Sequence, residues 1–457
     1  PSQQEQVSQE VRIASNGRRT IDYVAGLFYF HQTIDTQGLQ VQGSAASRWL
    51  LSGANASNPA VLSGLTSRNT IGFSNTSAAA FGKLTWHLTD RLSIAPGVRV
   101  NYDKKKGDYV SLVTTGAGAT LDCSTAAQRA DLTNVTRDRC GVLAPQSYQP
   151  KFDDWNVSGD VTLAYDLSDD NHFYATYARS YKSGGINLSG LPLGADNLPL
   201  LATATVKPET VNHYELGLKN QFLDRRATVN VAAFWTDIFD YQATVTNSQL
   251  SVLRGYLANA GHVRTRGVEI DSAFRPTGRL NVYANAAYTD AKYQRFTDAP
   301  CPPELSGGTA LPIVNGQIVG TPAAAGTPGN SLPFCNISGQ RIPGVSKWAF
   351  SYGAEYGVPT NIGGNEGNVY IGYDGSYRSN FSSNPSESIY TRVDGYSISN
   401  VRVGYRENSR LNLFGWVRNV FDQDYFELLA TQSGNTGLVV GQPGDPRTYG
   451  VTFSASF

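Results

Sequence analysis

Residues able to do chemistry are scattered in this chain of 457 residues. The histidines His31, His87, His172, His213 and His262 form no His-x-x-x-His or Glu-x-x-His pair, the spacings that bring two ligands onto one helix face, so no metal site is expected. Serine and aspartate are common, yet no nucleophile elbow stands out, and Gly363–Gly367 does not have phosphate-loop spacing. Asp153-Asp154, Asp169-Asp170 and Asp422 with Asp424 read as turn residues rather than calcium ligands. Neither an enzymatic reaction nor a cofactor is expected. The cysteines fall into two close pairs, Cys123 with Cys140 and Cys301 with Cys335, and no Cys-x-x-Cys occurs. Two disulfides, each stapling its own loop, are the simplest reading and imply an oxidising compartment. Each would stabilise its loop by about 3–4 kcal/mol in the loop-entropy picture. Four free thiols in a cytosolic chain are the weaker alternative.

Composition narrows the class further. The chain has 46 glycines, 25 tyrosines, 19 phenylalanines, 6 tryptophans and no methionine. Charged residues are 16%, against about 25% in an average soluble domain, and mean hydropathy is -0.30. The longest apolar stretch, near Tyr23 to Phe30, falls far short of the ~20 residues of a spanning helix. A formal net charge of zero leaves no basic footprint for nucleic acid. With no initiator Met, signal peptide or Arg-rich transit segment, the chain reads as a mature or truncated exported protein.

The elements that must position any site are strands. Leu92, Ile94, Pro96, Val98, Val100 and Tyr102 alternate with Ser93, Ala95, Gly97, Arg99, Asn101 and Asp103, one face apolar and the other polar. Tyr449, Val451, Phe453 and Ala455 alternate in the same way with Gly450, Thr452, Ser454 and Ser456. No sustained three-and-four spacing competes, so no helix is predicted. The pattern places about fifteen strands, at 6–14, 20–31, 70–87, 91–106, 151–166, 171–182, 208–221, 225–246, 252–275, 279–295, 345–357, 367–380, 391–406, 410–421 and 447–457, each bounded to a few residues.

The connections alternate in length. Short ones fall at 15–19, 87–91, 167–171, 223–225, 275–278, 358–367 and 407–409. Long ones fall at 32–69, 107–150, 183–207, 296–344, 381–390 and 422–446, with a brief one near 247–251. A soluble sandwich has no reason for this. An outer-membrane β-barrel does, with short turns on the periplasmic rim, long loops outside and aromatic girdles on the apolar face. Both cysteine pairs fall in the long set. Strands that begin outside and end at the periplasmic rim, odd in number, do not close a barrel of even count. An open edge in lipid leaves backbone groups unpaired at several kcal/mol each, so upstream strands or a second polypeptide are expected.

Six segments then resemble the TonB-dependent outer-membrane receptor family, in family order. They are Ser8-Gln9-Glu10-Val11-Arg12-Ile13-Ala14-Ser15 with Tyr23 to Phe30 after it; Tyr174 to Asn187; Lys207-Pro208-Glu209-Thr210 with Tyr214-Glu215-Leu216-Gly217-Leu218-Lys219; Thr265-Arg266-Gly267-Val268-Glu269; Arg418 to Phe426; and Gly450 to Phe457. The resemblance covers nearly the whole chain. It implies the C-terminal part of a 22-stranded barrel, residues 1–457 being barrel alone, without counterparts of the family's plug domain and TonB box. It also implies Phe457 as the signal read by the outer-membrane assembly machinery. The implied function is uptake of a scarce nutrient, a ferric siderophore being the leading class, with cobalamin, haem, oligosaccharides and plant-derived aromatics open. Energy would come through TonB with ExbB and ExbD, by way of the N-terminal region that the chain lacks. Outer-membrane lipid and lipopolysaccharide are the expected surroundings. A passive porin-like or structural barrel is the alternative, and an outer-membrane lipase or protease a third reading.

Candidate residues follow by position. Arg179, Tyr181 and Lys182 end a strand before Ser183-Gly184-Gly185 and form either a cationic-aromatic ligand rim or an ordinary solvated strand end. Tyr256 and Tyr293 are further rim candidates, as are Tyr390 and Tyr425. Glu269 and Asp271, opposite in parity to Val268 and Ile270, should face the lumen, where they meet plug cations or bridge to neighbouring strands. Arg264 and Arg266 share the outward parity. A lipid-facing Arg at the bilayer midplane costs ~2–4 kcal/mol, so both belong above the bilayer.

Overall fold

The computed structural model describes residues 1–457 other than 18, 52, 124–133, 194–197, 247–254, 306–308, 312, 315–316, 325–329, 408–410, 432–437 and 456–457. Fifteen long strands form one sheet in which each strand pairs with its sequence neighbours. They are β1 Ser2–Ala14, β2 Ile21–Val41, β3 Thr66–His87, β4 Leu92–Thr114, β5 Lys151–Ser168, β6 Asn171–Lys182, β7 Glu209–Phe222, β8 Ala227–Thr246, β9 Gly255–Thr277, β10 Leu280–Arg295, β11 Trp348–Ile362, β12 Asn365–Arg378, β13 Tyr396–Glu407, β14 Leu411–Arg418 and β15 Thr448–Ala455. Successive strands run antiparallel, and a short strand, Gln146–Tyr148, adds to the far end of β4. Among the described residues no pairing joins β1 to β15, which are the two edges.

The alternation of short turns and long loops is present. The expected connection near 247–251, most of the turn at 407–409 and the terminal Phe457 lie outside the described residues. Three strands outrun their apolar pattern: β2 continues to Val41, β3 begins at Thr66 and β4 continues to Thr114. Residues such as Gln32, Thr33, Asp35 and Gln37 carry no alternation to read, yet the β2–β3 register runs unbroken from Ile21 opposite Trp86 to Val41 opposite Thr66. The connection expected at 358–367 is instead a hairpin. Strand pairing continues to Ile362 opposite Asn365, and Gly363 and Gly364 turn the chain at φ +62° and +89°. Two glycines supply the two positive φ angles of a type I′ turn, whose twist matches the flanking strands. Asp153 and Asp154 lie inside β5, opposite Lys104 and Asp103, not in a turn.

Two short helices, Ala46–Leu50 and Val135–Val142, occur where none is predicted. They are too short for helical periodicity to register. The second begins at Asn134, whose Oδ1 accepts from the Thr136 and Arg137 amides at 2.9 and 3.3 Å.

Side-chain parity divides the sheet into two faces across all fifteen strands. Partners directly opposite one another share a face. One row reads Leu27, Ala80, Val100, Val157, and another reads Tyr356, Ile371, Val403, Gly415, Val451. This apolar face is open: Leu27 is 65% exposed and Val451 75%. Aromatic pairs cross neighbouring strands toward its loop-side end, Tyr102 with Trp155 and Tyr288 with Trp348, centroids 5.0 and 4.8 Å apart. Tyr165 lies ten residues past Trp155 on the same face. At ~3.3 Å per residue that is roughly 33 Å of strand, or roughly 25 Å upright at a tilt of ~40°, the height of an apolar membrane band.

The buried core sits in the loops, not between layers. Val61, Leu62, Leu65, Val113 and Leu143 pack around the Cys123–Cys140 disulfide, while Val263, Tyr293, Phe296 and Ile337 pack beside Cys301–Cys335. Both bridges pair as the spacing implies. On the sheet itself, rings fold over glycines opposite them. A Cβ on Gly217 would meet the Tyr174 ring at 2.3 Å, and one on Gly267 the Phe234 ring at 2.9 Å. Gly217→Val is therefore expected to cost about 1–3 kcal/mol by overpacking. Combining it with Tyr174→Ala should give a loss smaller than the sum of the two. Urea unfolding midpoints of the four variants in one detergent check this.

Candidate functional site

The polar face toward the loop ends of β4 to β9 gathers charged and aromatic groups that the strands hold in two-residue steps. On β4, Arg99, Asn101, Asp103 and Lys105 share this face. The Arg99 guanidinium lies between the Phe28 and Phe81 rings, 5.2 and 5.4 Å from their centroids, and its Nε donates to Asn101 Oδ1 at 2.7 Å. Below it, Lys83 Nζ meets Asp160 Oδ2 at 2.6 Å.

Strand β6 parts from β5 beyond Arg179, the last of their paired residues. Tyr181 thereby reaches across to β4, its phenol donating to Asp103 Oδ2 at 2.7 Å. Burial and this bond push the Tyr181 phenol well above its ordinary range. Lys105 Nζ donates to Ser183 Oγ at 3.1 Å and to the Gly184 carbonyl at 2.5 Å, tying the loop after β6 back onto β4. Burial holds the Lys105 ammonium below the usual lysine range, opposed by Asp103 and reinforced by Lys182. Lys182 itself pairs with Glu209, which is buried and also accepts from the Gln242 amide at 2.7 Å. On β4, Asp103 and Lys105 lie beyond the Tyr102–Trp155 pair that bounds the apolar band.

The structure thus brings Tyr181 and Lys182 together at one rim, while Arg179, opposite Gly159 and Asn212, takes the apolar face in the row of Arg264. It does not bring Tyr293 there. Tyr293 is 1% exposed, packed with Phe296 and Tyr241 beneath the 296–337 loop, so the expected rim ring is a core residue. Tyr256 is half-buried against the same cluster. Tyr425 stacks on Tyr396 with centroids 4.3 Å apart, and Tyr390 is exposed.

Glu269 and Asp271 take the polar face and are exposed, as their parity predicts. Their cross-strand neighbours are Ala232 and Ala287 for Glu269, and Asn230 and Asn285 for Asp271. Among the described residues neither makes an ion pair to a neighbouring strand. Arg264 and Arg266 take the apolar face beyond its band. They stack on Trp235 at 4.5 and 5.1 Å and pair with Asp237 at 2.8 Å and Asp290 at 3.3 Å.

Sequence reasoning missed a second polar network. Arg402 bridges Asp374 at 2.7 Å and Glu355 at 3.1 Å across β11, β12 and β13, and Arg406 joins Glu355 at 3.4 Å. The signal was present as matching parity on three strands, but the register that sets these residues side by side cannot be read from one strand. Among the described residues no group of three His, Cys, Asp or Glu side chains is placed to hold a metal ion.

Residues 4–420 match the family described as TonB dependent receptor-like, beta-barrel. The chain belongs to the TonB-dependent receptor β-barrel family. Among curated proteins it is 27% identical to the pesticin receptor of Yersinia pestis over 325 residues, 70% of this chain and 39% of that protein. It is 26% identical to the catecholate siderophore receptor Fiu of Escherichia coli K12 over 377 residues, 82% and 40% respectively. Among solved structures, the ferric yersiniabactin uptake receptor FyuA of Yersinia pestis superposes with a TM-score of 0.67 at 20% identity, over 100% of this chain and 55% of that one. The chain spans about two fifths of the length of these curated relatives. No helix among the described residues is long and apolar enough to cross a membrane, which leaves crossing by strands open.

The bond from Tyr181 to Asp103 generates a test. Tyr181→Phe is expected to speed amide exchange at residues 183–187 by about tenfold, since a hydrogen bond to a charged group contributes ~1.5 kcal/mol or more. Hydrogen exchange read by mass spectrometry checks it.

Proposed function

We propose that this chain forms the C-terminal part of the barrel of an outer-membrane receptor that takes up a scarce nutrient, a ferric siderophore in the leading case. The observation that carries the reading is the division of all fifteen strands into an exposed apolar face, bounded by aromatics, and a charged face. The apolar face then meets lipid, the charged face lines a wet lumen and the long disulfide-stapled loops stand outside. Edges β1 and β15 would each expose a row of unpaired backbone groups at several kcal/mol apiece in hydrocarbon. Further strands complete the wall in this reading, as in the 22-stranded transporters of this architecture.

Ligand would be met at the loop-side lumen by the Arg99, Asp103, Lys105 and Tyr181 group, with Lys182 at its rim. Glu269 and Asp271, carboxylates that make no ion pair among the described residues, face the plug. Release inward draws on TonB with ExbB and ExbD, the coupling that gives the family its name. The relatives named as pesticin and catecholate siderophore receptors support the substrate class.

The test uses the full-length receptor in cells lacking other iron receptors, supplied with radiolabelled ferric chelates. Uptake of at least one chelate, lost on deleting TonB, is expected. A steady, large single-channel conductance in planar bilayers, independent of TonB, would mark a porin instead. Glu269→Gln with Asp271→Asn is expected to lower uptake severalfold while surface binding of the same chelate is kept.

A further inference from the structure

Residues 183–191, which follow β6, touch two strands that have four others between them in the sheet, β4 and β9. At ~4.8 Å from strand to strand, β4 and β9 are roughly 24 Å apart along the wall. Yet both meet the same three residues. Ile186 and Leu188 pack over Gly107 of β4, where a Cβ would meet them at 2.9 and 2.6 Å. Asn187, between them, turns its side chain to β9. Its Nδ2 donates to the Leu257 carbonyl at 3.0 Å, and its Oδ1 accepts from the Leu257 amide at 2.9 Å. Nδ2 also donates to the Thr203 carbonyl at 2.7 Å. Lys105 and Gly107 share the polar face of β4, so the segment runs as a chord across that face.

The chord is fastened along its length. Lys105 donates to Ser183 and to the Gly184 carbonyl, and Gln242 Nε2 of β8 donates to the Ser183 carbonyl at 3.0 Å. Gly184 lies against the Phe152 ring of β5, which leaves no room for a Cβ. Gly185 and Ile186 pair with Val206 and Thr205. At the far end Gln146, on the short strand paired with β4, closes a two-bond ring with Leu191. Its Nε2 donates to the Leu191 carbonyl and its Oε1 accepts from the Leu191 amide, both at 2.8 Å. The Gly190 amide donates to the Tyr148 hydroxyl at 3.2 Å. Asn187 and Gln146 are both buried, and each pairs with a backbone as one more rung of a ladder would. Segments that open easily have few buried contacts and solvent-exposed backbone bonds. This one has the opposite.

We infer that Asn187 is a positioning residue for uptake: it docks residues 183–191 on β9 as a fixed strap over the Asp103, Lys105 and Tyr181 group, which ligand reaches beside the strap without lifting it. With the strap in place, Ser183 and Gly184 hold Lys105 before ligand arrives. The cost of ordering that side chain is then not met on binding, so loss of the strap weakens capture and leaves later steps alone. The inference rests on the uptake reading above.

Hydrogen exchange of the intact, detergent-purified receptor, read by mass spectrometry, tests the strap without any ligand. In the unmodified receptor, exchange across 185–191 is expected to lie within about tenfold of that of β5. Asn187→Leu is expected to speed it by about tenfold or more, and Asn187→Asp, which still accepts from the Leu257 amide, by less. Gly107→Val should loosen the same residues by pressing on Ile186 and Leu188, without touching Asn187. Gly357→Ala is the control, since a Cβ there meets nothing nearer than 4.0 Å. Uptake by cells of two radiolabelled ferric chelates, a triscatecholate and a trihydroxamate, separates positioning from scaffolding. Asn187→Leu is expected to raise the concentration for half-maximal uptake about tenfold, at an unchanged maximal rate and surface level, with Asn187→Asp between. Exchange across 185–191 as fast as in an unpaired peptide would overturn the strap. So would an unchanged half-maximal concentration in Asn187→Leu, or a maximal rate that rises on loosening, which is how a lid behaves. Absence of uptake by the unmodified receptor counts against the uptake reading, while the exchange results still decide the strap.

Discussion

A backbone amide or carbonyl with no partner cannot be left in hydrocarbon, and the rest of this structure follows from that constraint. It explains why successive strands pair antiparallel without a break, as from Ile21 opposite Trp86 to His31 opposite Thr76. It also explains why the apolar side chains face away from any core. With the ladder satisfied within the sheet, Leu27, Val98 and Val451 can stand exposed on one face without a packed layer over them. The chain's real cores are small and lie in the loops, where water is present and two disulfides add closure.

The same constraint sets what the other face can do. Charges there need no burial, so they collect in cross-strand groups: Lys83 with Asp160, Arg402 with Asp374 and Glu355, Lys182 with Glu209. Pairs of this kind contribute little each when solvated, and their worth lies in presenting charge at fixed spacing. Where β6 leaves β5, the spacing changes character. Tyr181 ties the end of β6 to β4, and Lys105 fastens the loop that follows onto the same strand.

Much of this was legible in one dimension. Period-two alternation marks the strands, and parity separates Glu269 and Asp271 from Arg264 and Arg266, as the cross-strand register does. The limits were physical. Beyond the aromatic belt both faces of a strand are wet, so β2 past His31 and β4 past Lys106 carry no apolar mark and read as loop. Gly363 and Gly364 turn within two residues, but Pro359 and Asn361 beside them read as loop composition, although they lie within β11. Strand position alone puts Tyr293 at the rim, because it does not show that Cys335 and Ile337 cover the ring. The Arg402 network depends on register between segments distant in sequence, which no single strand encodes.

The central claim is that odd positions of β12 meet lipid and even positions meet water. Spin labels placed singly at Val369, Tyr370, Ile371, Gly372, Tyr373 and Asp374 of the intact receptor in lipid vesicles test it most directly, by collision with oxygen, which partitions into lipid, against a water-soluble nickel chelate. Oxygen accessibility is expected to peak at 369, 371 and 373 and nickel accessibility at 370, 372 and 374. Uniform access of the nickel chelate along the strand, or the reverse alternation, would contradict the account.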